Sequence, residues 1–103
     1  MPPTVAAKEN EIAALIAQAE SDLQPPVRHI YWSVDQDWTG DWGLFLRVVL
    51  SDASAKRGRL DRISRKVRQY VLTTIQAENL GLIPYVSFRS ESEQAELGEK
   101  AWS

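Results

Sequence analysis

Ser54–Glu78, SAKRGRLDRISRKVRQYVLTTIQAE, decides the fold, because it reads as one long amphipathic helix standing between two apolar runs. Leu60, Ile63, Val67, Tyr70, Val71, Thr74 and Ile75 recur at helical spacing. Gly58 costs about 1 kcal/mol relative to alanine inside a helix, so the regular turns are expected to begin nearer Arg59. Ser51, Asp52 and Ser54 offer N-terminal caps, and Asn79 and Gly81 supply the stop. A helix of this length between two strands makes a right-handed crossover, which sets those strands parallel if they are neighbours.

The run before this helix, Gly43–Leu50, is apolar except for Arg47 and suits a strand covered on much of both faces. The run after it, Leu82–Arg89, places Leu82, Val86 and Phe88 on one face and Ile83, Tyr85 and Ser87 on the other. Pro84 has no ladder donor and moves that strand toward a sheet edge. Further out, Val27–Asp35 alternates, with Ile30, Trp32 and Val34 opposite His29, Tyr31 and Ser33. Its short connection to Gly43 predicts an antiparallel hairpin.

Thr4–Leu23 reads as an opening helix, capped by Thr4, with a narrow stripe through Ile12, Leu15, Ile16, Ala19 and Leu23 that packs on its own sheet or on a partner. Pro25-Pro26 ends it. Ser90 and Glu93 match a capping box for a short last helix running to about Leu97. The expected fold is a single α+β domain over residues 1–103, ordered α-β-β-α-β-α. Its three-stranded sheet carries helices mainly on one face, the second strand is central, and residues 1–3 and 99–103 are frayed tails. Placing the first strand in the middle is the alternative order.

Composition narrows the function. With 103 residues, 44% hydrophobic and 25% charged, the chain is an ordinary globular domain. Without cysteine, disulfides and thiolate metal sites are excluded, and with His29 as the one histidine, so are Cys/His zinc sites and paired-histidine metal sites. No Walker loop, dinucleotide fingerprint or Gly-x-Ser-x-Gly elbow is present, so enzyme activity has little support and no cofactor is expected. No apolar run is long enough to span a bilayer and no secretory signal is visible, which leads to the expectation of a cytoplasmic protein.

Charge is unevenly spread. Seven of the twelve basic residues lie between Lys56 and Arg68, opposed by Asp61 alone, inside a chain whose net charge is −2. Arg62, Arg65, Lys66 and Gln69 fall opposite the apolar stripe, with Arg59 and Arg68 at the flanks. Such a face tracks a phosphate backbone, meets an acidic protein partner, or is a solvated surface whose arginines pair with Asp61 or with the acidic 91–99 segment. Neither a Gly-x-x-Gly clamp nor the aromatic signature of an RNA-recognition sheet is present in the sequence.

The connection Asp35–Trp42 is the second concentration of chemistry. Asp35, Asp37 and Asp41, with Asp52 after the next strand, would suit Mg²⁺ and phosphodiester chemistry if at least two carboxylates converge on one ion. Aspartates also serve simply as turn formers. Trp38 and Trp42 either cap the sheet or present an aromatic surface, since tryptophan is enriched at interface hot spots. His29 suits a hydrogen-bonded structural role.

Val34-Asp35 through Trp38-Thr39-Gly40-Asp41, the apolar strand, and Pro84-Tyr85-Val86-Ser87-Phe88-Arg89-Ser90 with Glu93 together resemble a group of short uncharacterised bacterial proteins. The resemblance covers residues 30–95 and implies one member of a small gene pair, in the manner of toxin–antitoxin or defence systems; it implies no catalytic residue. The residues themselves point first to a non-catalytic module that binds a partner protein or itself through Trp38 and Trp42. The second reading is nucleic-acid binding through Arg59, Arg62, Arg65, Lys66 and Arg68.

Overall fold

A computed structural model describes residues 3–56 and 58–97, with the side chains of residues 3–8 left outside the description. Of the expected tails 1–3 and 99–103, residues 1–2 and 99–103 lie outside the described residues, and Pro3 is the first residue of the opening helix. Seven elements follow in order: α1 Pro3–Asp22, β1 Val27–Gln36, β2 Trp42–Leu50, α2 Leu60–Ile75, a 3₁₀ turn Ala77–Leu80, β3 Ile83–Ser90 and α3 Glu91–Leu97. Thr4 falls within the first turn of α1 rather than before it. The expected α+β order is the observed one.

The sheet runs β1-β2-β3, with β2 antiparallel to β1 and parallel to β3. The second strand is central, and the alternative with β1 in the middle is not adopted. Leu44, Leu46, Val48 and Leu50 point from β2 into the core and are essentially sealed from solvent. From β1 come Val27, Ile30 and Val34, and from the helices Ile12, Ile16, Val67, Val71 and Ile75. The narrow stripe of α1 from Ile12 to Leu23 thus packs on its own domain.

The expected start of α2 near Arg59 is met, whereas its expected caps and stop change. Its regular turns start at Leu60, after Gly58 at φ +92°, and Arg59 stands at the N-cap without a side-chain bond. The caps expected from the preceding loop have other partners. Ser51 Oγ accepts the Ser54 N–H at 3.2 Å, and Asp52 reaches across to α3. The end of α2 is set earlier than Asn79, by Gln76 at φ +51°, whose N–H bonds Leu72.

At the last strand–helix junction the capping box forms as expected. The Glu93 N–H donates to Ser90 Oγ at 3.1 Å and the Ser90 N–H donates to Glu93 Oε1 at 3.2 Å. Asp52 accepts the Ser92 hydroxyl at 2.7 Å and its N–H at 3.0 Å, which holds that carboxyl below the ordinary aspartate value. Among the described residues, no helix is long and apolar enough to cross a membrane.

Candidate functional site

Register decides which side chains share the uncovered face of the sheet. Across the strands, Ser33 opposes Phe45 and Phe45 opposes Tyr85; one step along, Tyr31 opposes Arg47 and Arg47 opposes Ser87. Because successive strand residues point to opposite sides, these rows lie on the face away from the buried stripe of β2. Gly43 and Val49 of this parity are buried, so β2 is covered at both ends of its second face, and between them Phe45 and Arg47 remain half-exposed.

This face is organised as an aromatic row. Phe45 and Tyr85 stack with centroids 5.0 Å apart and planes 15° from parallel. Trp38 leans over Tyr85 at 5.8 Å, tilted by 54°. At the other end the Arg47 guanidinium stands 6.0 Å from the Phe45 ring centroid and donates to Ser33 Oγ at 3.0 Å. Gly43 makes the row possible: a Cβ built there would meet the Tyr85 ring at 3.0 Å and the Phe45 ring at 3.1 Å. A methyl group at position 43 would require the two rings to give by a few tenths of an ångström.

Asp37 fixes the loop that carries Trp38. Its Oδ1 accepts the Thr39 N–H at 2.9 Å, the Asp41 N–H at 3.0 Å and the Thr39 hydroxyl at 2.6 Å. Its Oδ2 accepts the Tyr85 hydroxyl at 2.8 Å. These donors favour the charged carboxylate, the Thr39 hydroxyl most and Tyr85 next, and draw Asp37 down to about 2. The same bond raises Tyr85 above the ordinary tyrosine value. Gly40 at φ +88° closes the turn, donating its N–H to the Asp37 carbonyl at 3.1 Å.

The two tryptophans singled out by the sequence are separated. Trp38 is 83% exposed, whereas Trp42 is half-buried and packs against the core from the covered side of β2. The four aspartates also divide. Asp35 and Asp41 are exposed beside the Trp38 loop and Asp37 is taken up by four donors. Asp52 lies past the far end of β2, about 26 Å along the strand. Among the described residues, no group of three or more histidine or carboxylate side chains is placed to hold a metal ion. His29 is held as a structural histidine, its Nδ1 2.7 Å from Glu20 Oε1 and its ring edge-on to Tyr31.

The basic residues of α2 lie elsewhere. Arg59, Arg62, Arg65 and Lys66 are exposed on its outer face. Arg68 turns to the β3 edge and donates to the Val86 carbonyl at 3.3 Å, two residues beyond Pro84, which offers no N–H there. A cleft of about 560 Å³ follows this edge, lined by Arg68, Leu72, Pro84 and Tyr85 and opening onto the aromatic row. Sequence reasoning missed Phe45, Tyr85 and Arg47, although the odd-numbered parity of Gly43, Phe45 and Arg47 was there to find them.

Comparison of the chain with family models, with curated proteins and with solved structures gives no match.

Proposed function

We propose that this protein is a non-catalytic interaction module whose docking surface is the open sheet face, centred on Trp38, Tyr85, Phe45 and Arg47. The observation that carries this reading is the Trp38 indole, 83% exposed on a loop that four hydrogen bonds to one carboxylate hold in place. An aromatic anchor held rigid before binding loses little entropy on association. Tryptophan, tyrosine and arginine are also the groups that dominate interface hot spots.

The ring faces of the row favour a protein partner over nucleobases. Phe45 is already stacked on Tyr85 and carries Arg47, so the surfaces on which a base would stack are in use. Asp35 and Asp41, exposed beside Trp38, would repel phosphate and complement lysine or arginine on the partner. A partner encoded next to this chain would fit the gene-pair arrangement implied by the bacterial resemblance. A second copy using the same surface is the other occupant.

Affinity capture from a lysate of the source organism, run with the wild-type chain and with Trp38→Ala, tests the reading. The expected result is a protein retained by the wild type and lost by the variant, binding about 30-fold or more weaker when reconstituted from purified components. Equal retention by both chains would remove Trp38 from the interface. A Trp38-dependent dimer in light scattering would assign the surface to self-association.

A further inference from the structure

We infer that the outer face of α2 is a second, separate binding surface, and that it takes the phosphate backbone of a nucleic acid. Four cations, Arg59, Arg62, Arg65 and Lys66, stand on one exposed side of this helix. Among the described residues none of the four makes a side-chain hydrogen bond or an ion pair, and Glu99 of the acidic segment expected to neutralise them lies outside that description. Asp61 is on the same helix yet makes no ion pair with any of them, and Glu91 pairs instead with Arg28 at 3.3 Å. Seven residues separate Arg59 from Lys66, so the row extends about 10 Å along the axis at 1.5 Å per residue. Duplex DNA presents about six charges over such a length, at one per 1.7 Å.

Both a polyanionic backbone and an acidic protein carry negative charge, and the apolar content of the surface separates them. Protein interfaces have an apolar centre depleted of charge. Here the apolar residues Val67, Val71 and Ile75 are buried beneath the helix, and Leu60 and Leu72, the exposed ones, stand at its start and on its β3 flank. Half-buried Ile63 reaches the surface beside Arg59 and Arg62, and the fully exposed residues of the patch are the four cations, in keeping with the strongly positive character of protein–nucleic acid interfaces. Glu20 and Asp22 of the neighbouring α1 limit the footprint. Glu20 is paired with His29, and Asp22 accepts the Tyr70 hydroxyl, so both acids have partners of their own. Asp22 nevertheless lines one cleft together with Arg62 and Lys66, and its charge opposes phosphate on that flank. The backbone is accordingly expected to run along α2 and away from α1.

The test is fluorescence anisotropy of a labelled 20-base-pair DNA duplex and a single-stranded RNA of equal length, with the full chain in 50 and 200 mM salt. Three to four phosphate contacts predict a duplex affinity that falls about 40- to 150-fold over that range. Arg62→Glu with Arg65→Glu is expected to abolish binding at 50 mM, and Trp38→Ala to leave it unchanged; circular dichroism checks that the exposed double variant stays folded. Binding to RNA alone with the same dependence on Arg62 and Arg65 also supports the inference. No anisotropy change with either nucleic acid at 50 mM overturns it, as does wild-type binding by the double variant. Displacement by polyglutamate at an equal charge concentration overturns it in favour of an acidic protein.

Discussion

On the open face of the sheet, Arg47 lies over the Phe45 ring and donates to Ser33, whereas on the outer face of α2 Arg62 and Arg65 make no side-chain hydrogen bond or ion pair among the described residues. The same guanidinium serves two ends. Embedded in an aromatic row, it is already desolvated in part and oriented, so it adds to a compact anchor for a protein surface. Set among other cations without an apolar centre, it remains hydrated and contributes through long-range charge and counterion release. The sheet face therefore suits one shaped partner, and the helix face a repetitive one. The faces are physically independent, since α2 and the aromatic row lie on opposite sides of β2 and meet only around Arg68 at the β3 edge.

The largest effect on this comparison should come from the element that both faces share. Leu46 is 1% exposed on the core side of β2. Leu46→Ala is expected to cost about 2–5 kcal/mol, read from the midpoint of urea unfolding, and to weaken both binding activities together. Unequal loss would mean that α2 holds its shape without the sheet.

A smaller and one-sided effect is expected from Gly43→Ala. Its methyl group meets the Tyr85 and Phe45 rings at 3.0–3.1 Å, so the row must shift, at a cost of about 1–3 kcal/mol. Near-ultraviolet circular dichroism should report the displaced aromatics. Salt-dependent nucleic-acid binding by α2 should remain at wild-type strength, and a parallel loss there would show that the two faces are coupled.

The subtlest change is set by acid. Asp37 is drawn from 3.8 to about 2 in the folded chain, so the stabilisation it confers is complete above 3.8 and is lost as pH falls toward about 2. Trp38 fluorescence should report loosening of the loop in that window. In Tyr85→Phe one donor to the carboxylate is gone, so the loosening is expected to begin at higher pH. Identical acid titrations of the two chains would mean that the Tyr85 bond does not help to hold the loop.

Patterns confined to one segment could be read before any tertiary structure was known. Spacing of apolar residues located α1, α2 and all three strands, Pro84 marked the edge strand, and the capping box of Ser90 with Glu93 located α3. The cation row on α2 was equally legible, because a helix fixes the direction of each side chain by its own turn. Trp42 was not legible. One step of strand parity decides whether an indole faces core or solvent, and the Asp35–Trp42 connection gave no indication of where β2 begins.

By itself, then, the sequence determined the order of elements and the charge asymmetry of α2, since each follows from local periodicity and composition, whereas the choice between β1 and β2 as central strand came only with the pairing of the sheet. The tertiary structure alone decided the candidate site. Phe45 and Tyr85 stand forty positions apart and meet only because β2 and β3 pair in one register, with Gly43 leaving room for both rings. Asp37 likewise reaches Tyr85 only once that register is set. A contact between distant segments depends on strand register, and strand register is fixed by packing of the whole core rather than by any one stretch of chain.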